Sequence, residues 1–137
     1  MSWVYSKNSK RHLRTCHPDL RTVMGCAIQF SKVDFGISEG HRSVARQQEL
    51  FNSLAETGVW LTNCDGIKKR SKHNYKPSLA CDVFAYVDGR ANYEEANMLE
   101  IARCVKFCAA QLGIGIEWGG DWTTRVDMPH FNLLNIY

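Results

Sequence analysis

The segment "SLACDVFAYV", residues 78 to 87, constrains the fold more than any other part of the chain. It is a nearly continuous apolar run rich in β-branched, aromatic and small residues, which predicts a mostly buried strand. Asp88-Gly89 directly behind it is a turn signal. The segment "YEEANMLEIARCVKFCAAQLG", which ends at Gly113, then has apolar residues at helical spacing. The two segments together predict a domain that contains both a sheet and packed helices.

The other segments complete this order. Apolar residues at helical spacing after Pro18 predict a helix over about residues 18 to 31, and "FGISEG" predicts a short strand. Ser43 can cap a second helix that ends at Gly58, and residues 59 to 78 are expected to form an irregular excursion. "IGIEWGG" and "HFNLLNIY" predict two final short strands. The fold class is therefore α+β, with helices packed on a small antiparallel or mixed sheet.

Size and charge set broad limits on function. The chain has 137 residues and contains no repeat or linker, so residues 1–137 are predicted to form one domain. A net charge of +3 would favour a polyanionic surface such as a cell wall without requiring one. The apolar runs are too short to cross a bilayer. The N-terminal "MSWVYSKNSKRHLR" has no apolar stretch before its basic cluster, so we expect synthesis in a cytoplasm without a secretory signal.

The six cysteines have no spacing typical of a metal knuckle. They contain no CxxC pair, and Cys104 and Cys108 are four residues apart, which places them on one face of a helix. Because no signal peptide is visible, free and mostly buried thiols are the expectation.

Two histidines and two aspartates form the candidate site. His73 lies in the loop before the buried strand, Asp82 stands within that strand, and His130 begins the last strand, after Asp127. A catalytic zinc takes three protein ligands of these types and leaves a fourth position for water. His73, Asp82 and His130 would supply such a set, and Asp127 would remain as a general base. Spacing alone also allows a satisfied polar pair with a capping aspartate, so both interpretations stay open.

The relation between Asp127 and His130 depends on the proline between them. A three-residue offset would place the two side chains on opposite faces of a flat strand. Pro129 biases Met128 towards an extended or polyproline-type conformation, and a polyproline segment repeats every three residues. We therefore expect a polyproline-type segment that brings Asp127 and His130 to one side.

Four blocks of the chain, read together, carry a resemblance to a known family. "EGHRS", "SKHNYKPSLACDVFAYV", "WGGDW" and "DMPHF" occur in the order of the VanY-like, D-alanyl-D-alanine carboxypeptidase-type zinc peptidases. More closely, the chain resembles the L-alanyl-D-glutamate endopeptidase endolysins of bacteriophages over roughly residues 18 to 135. The resemblance implies a fold of the Hedgehog and DD-peptidase type and one zinc ion. It assigns His73, Asp82 and His130 as the zinc ligands and Asp127 as the catalytic acid/base.

The resemblance also implies roles for residues around the ligands. Arg42 matches the family arginine that binds substrate or the developing oxyanion, a task that suits its rigid and permanently charged guanidinium. Ser71, which begins the first ligand block, and Trp122 in "WGGDW" are expected to contact the substrate, although a place in the core is equally open for Trp122. Trp118 is expected in the core, and Gln47 is expected to have a structural or supporting role. The glycines of "WGGDW" would let the backbone approach a peptide.

The chain departs from the family motif between the first two ligands. The spacing from His73 to Asp82 is two residues longer than in the simplest form of the motif, and Ser78 stands in place of its glycine. We expect Lys76-Pro77 to fit into the loop before the strand, so that the ligands still converge.

These observations predict a zinc-dependent peptidoglycan peptidase, a phage endolysin that hydrolyses the L-Ala–D-Glu bond of the stem peptide with a metal-activated water. Two alternatives are open: a D-Ala-D-Ala carboxypeptidase of the same fold, and a non-catalytic zinc-containing wall-binding module. The expected partner is the bacterial peptidoglycan stem peptide and not nucleic acid, since the basic run "KKRSKH" comes with no nucleic-acid motif.

The resemblance also implies an oligomeric state and a location for the protein. We expect a monomer without a separate wall-binding domain or stable membrane association. It would accumulate in the host cytoplasm and then act on the cell wall.

Overall fold

The computed structural model describes residues 2–52, 64, 66 and 70–136. Within these residues the chain forms four α-helices, five strands and two short 3₁₀ helices. The helices are α1 (Lys7–Leu13), α2 (Pro18–Phe30), α3 (Val44–Phe51) and α4 (Glu95–Leu112). The strands are β1 (Phe35–Glu39), β2 (Ala80–Val87), β3 (Arg90–Asn92), β4 (Ile116–Trp118) and β5 (His130–Leu133). The 3₁₀ helices span Lys72–Asn74 and Gly119–Asp121.

The strands of the described residues form one sheet around β2. Its order is β1-β2-β5-β4, and β3 pairs with β2 outside this path. Every pairing between these strands is antiparallel. The first residues of β2 are buried on both faces, as its continuous apolar run requires. The predicted α+β class is confirmed, and the sheet is the antiparallel one of the two types expected.

The core lies where α2 and α4 pack against each other and against the sheet. The predicted helical spacing in α2 is confirmed, because its apolar positions are the buried ones: Leu20, Val23, Met24, Ala27 and Ile28. α4 ends at Gly113, which adopts a left-handed φ of 70° that favours glycine. Four of the cysteines are buried thiols, as expected: Cys16, Cys81, Cys104 and Cys108. No helix in the described ranges is long and apolar enough to span a membrane.

Helix α1 is absent from the sequence-based prediction. It begins at Ser6, whose side chain accepts a hydrogen bond from the backbone N–H of Ser9, and it buries only Ser9 and Leu13. The Ser9 hydroxyl in turn accepts a hydrogen bond from the backbone N–H of Ile37 in β1. A short helix with so few buried side chains leaves little apolar periodicity, so its stability comes from this tertiary contact.

Two other predicted boundaries concern the end of α3 and the turn after β2. α3 begins after the Ser43 cap as expected, but Asn52 caps its C-terminus, and the predicted continuation over 53–58 lies outside the described residues. The predicted turn at Asp88-Gly89 is confirmed, with φ of 52° and 78° at the two residues. This turn joins β2 to β3, a strand that the sequence pattern did not reveal because it has only three residues.

Candidate metal centre

Three elements bring the predicted ligands together. Asp82 in β2 is directly opposite His130 in β5, and residues paired in this way point their side chains to the same face of a sheet. His73 comes from the 3₁₀ helix before β2. Ser71 caps that helix by accepting a hydrogen bond from the backbone N–H of His73, and the Asn74 side chain accepts one from the backbone N–H of Ser71. This reciprocal cap fixes the turn that presents His73.

The ligand atoms of His73, Asp82 and His130 lie within 4.8 Å of one another. His73 Nε2 is 3.3 Å and His130 Nδ1 is 3.5 Å from Asp82 Oδ1. His73 Nε2 and Asp82 Oδ1 are both buried and have no hydrogen-bond partner. Buried polar atoms almost always have a partner, so two unsatisfied atoms facing each other mark a place where a cation would complete the site. The three residues therefore form a group that could hold a metal ion.

Hydrogen bonds on the far sides of the two rings orient the histidines. His73 Nδ1 lies 2.8 Å from the carbonyl oxygen of Gly40, and His130 Nε2 lies 2.7 Å from Asn132 Oδ1. Both oxygens are acceptors, so these two ring nitrogens carry the protons and act as donors. The lone pairs of His73 Nε2 and His130 Nδ1 are then directed at Asp82, as in metal centres whose ligands are oriented by a surrounding hydrogen-bond shell.

The pKa values of Asp82 and His130 also indicate a site that favours a cation. Burial by itself raises the pKa of Asp82, but the imidazoles of His73 and His130 more than offset this and lower that pKa below its ordinary value. Burial lowers the pKa of His130, and the adjacent Asp82 carboxylate outweighs it and raises that pKa. A proton or a metal ion between these groups would satisfy the same electrostatic demand.

Asp127 lines the same cleft, but the backbone conformation that places it there differs from the prediction. The backbone N–H of His130 donates to the carbonyl oxygen of Asp127 at 3.1 Å, so residues 127 to 130 form a tight turn. The expected polyproline-type segment is wrong, because this local hydrogen bond closes the chain. The turn still brings Asp127 and His130 to one side, where both line the cleft with His73 and Asp82.

The environment of Asp127 raises the pKa of its carboxyl group above the ordinary value. Burial raises the pKa of Asp127, and the nearby Asp82 carboxylate raises it further. His130, His73 and Arg42 act in the opposite direction and lower this pKa without cancelling these effects. A carboxyl group with a raised pKa in a cleft is a candidate for proton transfer.

Arg42 is held tightly beside the ligands. Its Nε pairs with Glu39, its Nη1 donates to Gln47 Oε1 at 2.8 Å, and its Nη2 lies 3.6 Å from Asp82 Oδ2. Gln47 is fully buried and donates to the carbonyl oxygen of Cys64, so it supports Arg42 as expected. These contacts place Arg42 against the outer oxygen of a metal-ligand candidate. A direct contact with substrate or an oxyanion stays a prediction.

The tryptophans of "WGGDW" occupy different places. Trp118 is buried, stacks on Phe131 and donates to the carbonyl oxygen of Met128, which matches its expected place in the core. Trp122 is half-buried, and its ring lies 5.0 Å from the ring of His130 on the wall of the cleft. Of its two expected places the structure gives Trp122 the cleft, and its contact with substrate stays a prediction, as does that of Ser71, which also lines the cleft.

The two glycines of the same block pack closely inside the protein. A Cβ atom on Gly119 would lie 2.3 Å from the carbonyl oxygen of Asp127, and one on Gly120 would lie 2.3 Å from the ring of Trp118. This close packing is an internal reason for the two glycines, and the expectation that they admit a peptide substrate stays a prediction. They allow the chain to pack closely against Trp118 and Asp127.

The chain matches a family model of known peptidases. Residues 1–132 match the family model described as phage L-alanyl-D-glutamate peptidase. The chain belongs to this family. The resemblance stated from the four sequence blocks is thereby confirmed, and so is the prediction that the chain is a peptidase.

Individual relatives agree with the family assignment. The L-alanyl-D-glutamate peptidase of Escherichia phage T5 is 27% identical over 128 residues, which are 93% of this chain and 87% of the relative. The peptidoglycan L-alanyl-D-glutamate endopeptidase CwlK of Bacillus subtilis (strain 168) is 31% identical over 114 residues, 74% of this chain and 62% of the relative. The crystal structure of the L-Ala D-Glu endopeptidase ChiX of Serratia marcescens superposes with a TM-score of 0.77 at 36% identity, covering 96% of this chain and 90% of ChiX.

The departure from the family motif at Ser78 has a local solution. The Ser78 side chain is fully buried, and its hydroxyl donates to the carbonyl oxygen of Ala80 and accepts from the backbone N–H of Ala80. Its backbone N–H donates to the carbonyl oxygen of Thr15, and its own carbonyl oxygen accepts from His17. A serine at the family's glycine position is therefore satisfied within the turn, and the longer loop still lets His73 and Asp82 converge.

Two residues that accept hydrogen bonds from the histidines, Asn132 and Gly40, are absent from the sequence-based prediction. Asn132 lies two positions after His130 in β5, a spacing that puts both side chains on one face and could have drawn attention to it. Gly40 supplies the acceptor for His73 through its backbone, which leaves no side-chain signal. A Cβ atom on Gly40 would lie 2.5 Å from the carbonyl oxygen of His12, so the end of α1 packs directly on the chain that orients His73.

Proposed function

We propose that this family member is a zinc-dependent endopeptidase that hydrolyses the L-Ala–D-Glu bond of the peptidoglycan stem peptide. The observation that carries the proposal is the group of three ligand atoms within 4.8 Å, two of them buried without a hydrogen-bond partner. The names of the relatives from phage T5, Bacillus subtilis and Serratia marcescens support the choice of bond.

The donor set suits zinc. Two imidazole nitrogens and one carboxylate oxygen are the ligands of many catalytic zinc sites, which leave a fourth position open. In the proposal His73 and His130 donate through Nε2 and Nδ1, and Asp82 donates through Oδ1. Zinc held there supplies Lewis-acid polarisation of the scissile carbonyl and lowers the pKa of water.

Asp127 moves the proton in this proposal. Its carboxylate takes a proton from the attacking water and returns it to the leaving amino group of D-Glu, as a general base that becomes a general acid. Burial and the Asp82 charge raise the pKa of Asp127, which strengthens its carboxylate as a base. The tight packing of its backbone against Gly119 holds it on the cleft wall.

The remaining predicted residues shape the cleft, which has a volume of about 850 Å³. Arg42 keeps Asp82 oriented through the 3.6 Å contact with Oδ2 and, as predicted, would also contact the substrate or the oxyanion. Ser71 and Trp122, which also line the cleft, would contact the peptide. The size fits a peptide ligand, since such clefts commonly measure several hundred Å³.

The setting remains the one expected from the sequence. The protein would act as a monomeric endolysin that accumulates in the host cytoplasm and reaches the wall when the inner membrane is breached. The phage family to which the chain belongs supports this setting.

Digestion of purified peptidoglycan tests the activity. After zinc loading and removal of excess metal, mass spectrometry should identify new N-terminal D-Glu residues together with one zinc per chain by elemental analysis. Release of free D-Ala would show a carboxypeptidase instead. Binding to sacculi without any new terminus would show a wall-binding module.

Asp127→Asn tests the assigned base, with Asp121→Asn as the matched control. Asp121 is an exposed carboxylate in the same segment that pairs with Lys106. Loss of the general base should lower kcat by about 100-fold or more while one zinc remains bound. Asp121→Asn should keep the wild-type rate. A fully active Asp127→Asn protein would overturn the mechanism.

A further inference from the structure

Five basic side chains line the described part of the cleft: Arg42, Arg46, Arg70, Lys72 and Arg125. Two of them are already engaged with acidic residues. Arg42 pairs with Glu39 and approaches Asp82, and Arg46 pairs with Glu49 at 3.1 Å. The charge of these two guanidinium groups is therefore largely balanced within the protein.

Arg70 and Lys72 are different. Among the described residues no carboxylate lies within ion-pair distance of either side chain. The Arg70 guanidinium lies 4.1 Å from the ring centroid of Tyr75, and Lys72 Nζ lies 5.9 Å from the same centroid. Arg70 Nη2 also donates to the carbonyl oxygen of Asn74 at 3.3 Å. The ring and the carbonyl oxygen both contact Arg70, Lys72 Nζ lies near the same ring, and neither of these partners carries a negative charge.

Arg70 and Lys72 lie next to the ligand candidate His73 in the chain. Lys72 directly precedes His73 in the 3₁₀ helix that Ser71 caps, and its carbonyl oxygen accepts from the backbone N–H of Leu79. Arg70 directly precedes the cap. The same short turn therefore presents a metal-ligand candidate and two cations to one cleft, at a spacing of a few residues.

We propose that Arg70 and Lys72 form a carboxylate-binding subsite for the D-glutamyl residue of the substrate. The inference rests on the proposed function and specifies how that function selects its bond. D-Glu is joined onward through its γ-carboxyl group in the stem peptide, so its α-carboxyl group stands on the carbon next to the scissile nitrogen. This group is anionic unless it is amidated. Arg70 would bind it with its planar fork, and Lys72 would add a second charge.

A pair of substrates that differ only at this group gives the sharpest test. The first is a disaccharide-tripeptide containing D-Glu, and the second contains D-isoglutamine, in which the α-carboxyl group is a neutral amide. The wild-type protein should cleave the acidic substrate with a kcat/KM higher by about 10-fold or more, because charge-assisted hydrogen bonds are the stronger ones. Arg70→Gln and Lys72→Gln should each reduce this preference, mainly by raising KM for the acidic substrate.

Controls separate this subsite from folding and from the metal centre. Arg90→Gln removes the same charge from β3, outside the cleft, and should keep the preference. Because Lys72 neighbours His73, zinc content and thermal unfolding are measured for every variant. Both should match the wild type. If the wild-type protein cleaves neither substrate, the proposed function fails. If it cleaves both equally, or if Arg70→Gln and Lys72→Gln slow both equally, the subsite alone is wrong.

Discussion

Asp82 and Glu100 are two shielded carboxylates in the same molecule, with side-chain exposures of 21% and 18%, yet their surroundings differ. Both oxygens of Glu100 accept hydrogen bonds: Oε1 from Arg103 Nε, and Oε2 from Arg103 Nη2 and the backbone N–H of Lys32. Oδ1 of Asp82 has no hydrogen-bond partner and faces two imidazole nitrogens instead. Similar exposure therefore accompanies a complete hydrogen-bond shell in one case and an incomplete shell in the other.

This difference separates a carboxylate that joins two elements from one that can take a ligand. Glu100 ties α4 to the segment between α2 and β1, and the hydrogen bonds from Arg103, followed by the one from Lys32, outweigh burial and lower its pKa to about 2. Asp82 has a lowered pKa for a related reason, but its partners are groups that also bind metal ions. A low pKa alone would not distinguish them. The unsatisfied oxygen does.

Neutralising Asp82 and Glu100 in separate variants should give the largest difference in zinc affinity between the two carboxylates. Asp82→Asn removes a charged ligand, so zinc affinity should fall by more than about 100-fold, beyond the range typical of changes around a metal site. Glu100→Gln should leave zinc affinity within experimental error. Competition with a chromophoric chelator measures both, and zinc should raise the unfolding temperature of Glu100→Gln but not that of Asp82→Asn. Equal zinc affinities for the two variants would contradict the metal site.

Asn132→Leu should weaken the metal site without removing a ligand. The buried amide oxygen of Asn132 accepts a hydrogen bond from His130 Nε2, and Leu is of similar size but offers no acceptor. Zinc affinity should fall by about 10- to 100-fold, as for other residues that orient metal ligands. Asn132→Asp keeps the acceptor and should retain affinity much closer to that of the wild type. An unchanged zinc affinity in a folded Asn132→Leu protein would exclude this role.

Gly119→Ala should separate proton transfer from metal binding. The added methyl group would lie 2.3 Å from the carbonyl oxygen of Asp127, so this backbone has to shift. A displaced general base should lower kcat by about 10-fold while zinc affinity remains unchanged. Gly25→Ala is the matched control, because a Cβ atom there meets nothing within 4 Å. A loss of zinc affinity equal to the loss of kcat would show that the whole centre had moved.

Glu100→Gln should have the smallest effect, and that effect should depend on pH. Because the pKa of Glu100 is about 2 in the folded protein and near 4.5 otherwise, its contribution to stability is complete above about pH 5 and is lost as pH falls towards 2. The substitution should cost about 1 kcal/mol at neutral pH, a value reduced for solvent screening of the exposed Arg103. Chemical denaturation at pH 7 and pH 3 measures the difference, and an equal cost at both would refute the assignment.

Much of the fold was predictable because it depends on local patterns, whereas the candidate ligand set was assigned by the resemblance to the family. Apolar spacing in α2 and α4 and the continuous run of β2 decide which faces can be buried, whatever the rest of the chain does. Helix α1 and strand β3 were missed because each is short and depends on neighbours that the pattern does not contain. The polyproline-type segment before His130 was wrong because a single hydrogen bond from its backbone N–H to Asp127 outweighs a weak local bias.

The sequence by itself determined the helices and strands with strong periodicity, the family, and the residue types that can bind a metal ion. Only the tertiary structure decided that Asp82 lies opposite His130, because this pairing joins strands far apart in the chain. It also decided which ring nitrogen of each histidine is available, through acceptors from Gly40 and Asn132. The physical reason is that a metal centre needs lone pairs converging within a few ångströms, and that convergence arises from long-range strand pairing and buried hydrogen bonds.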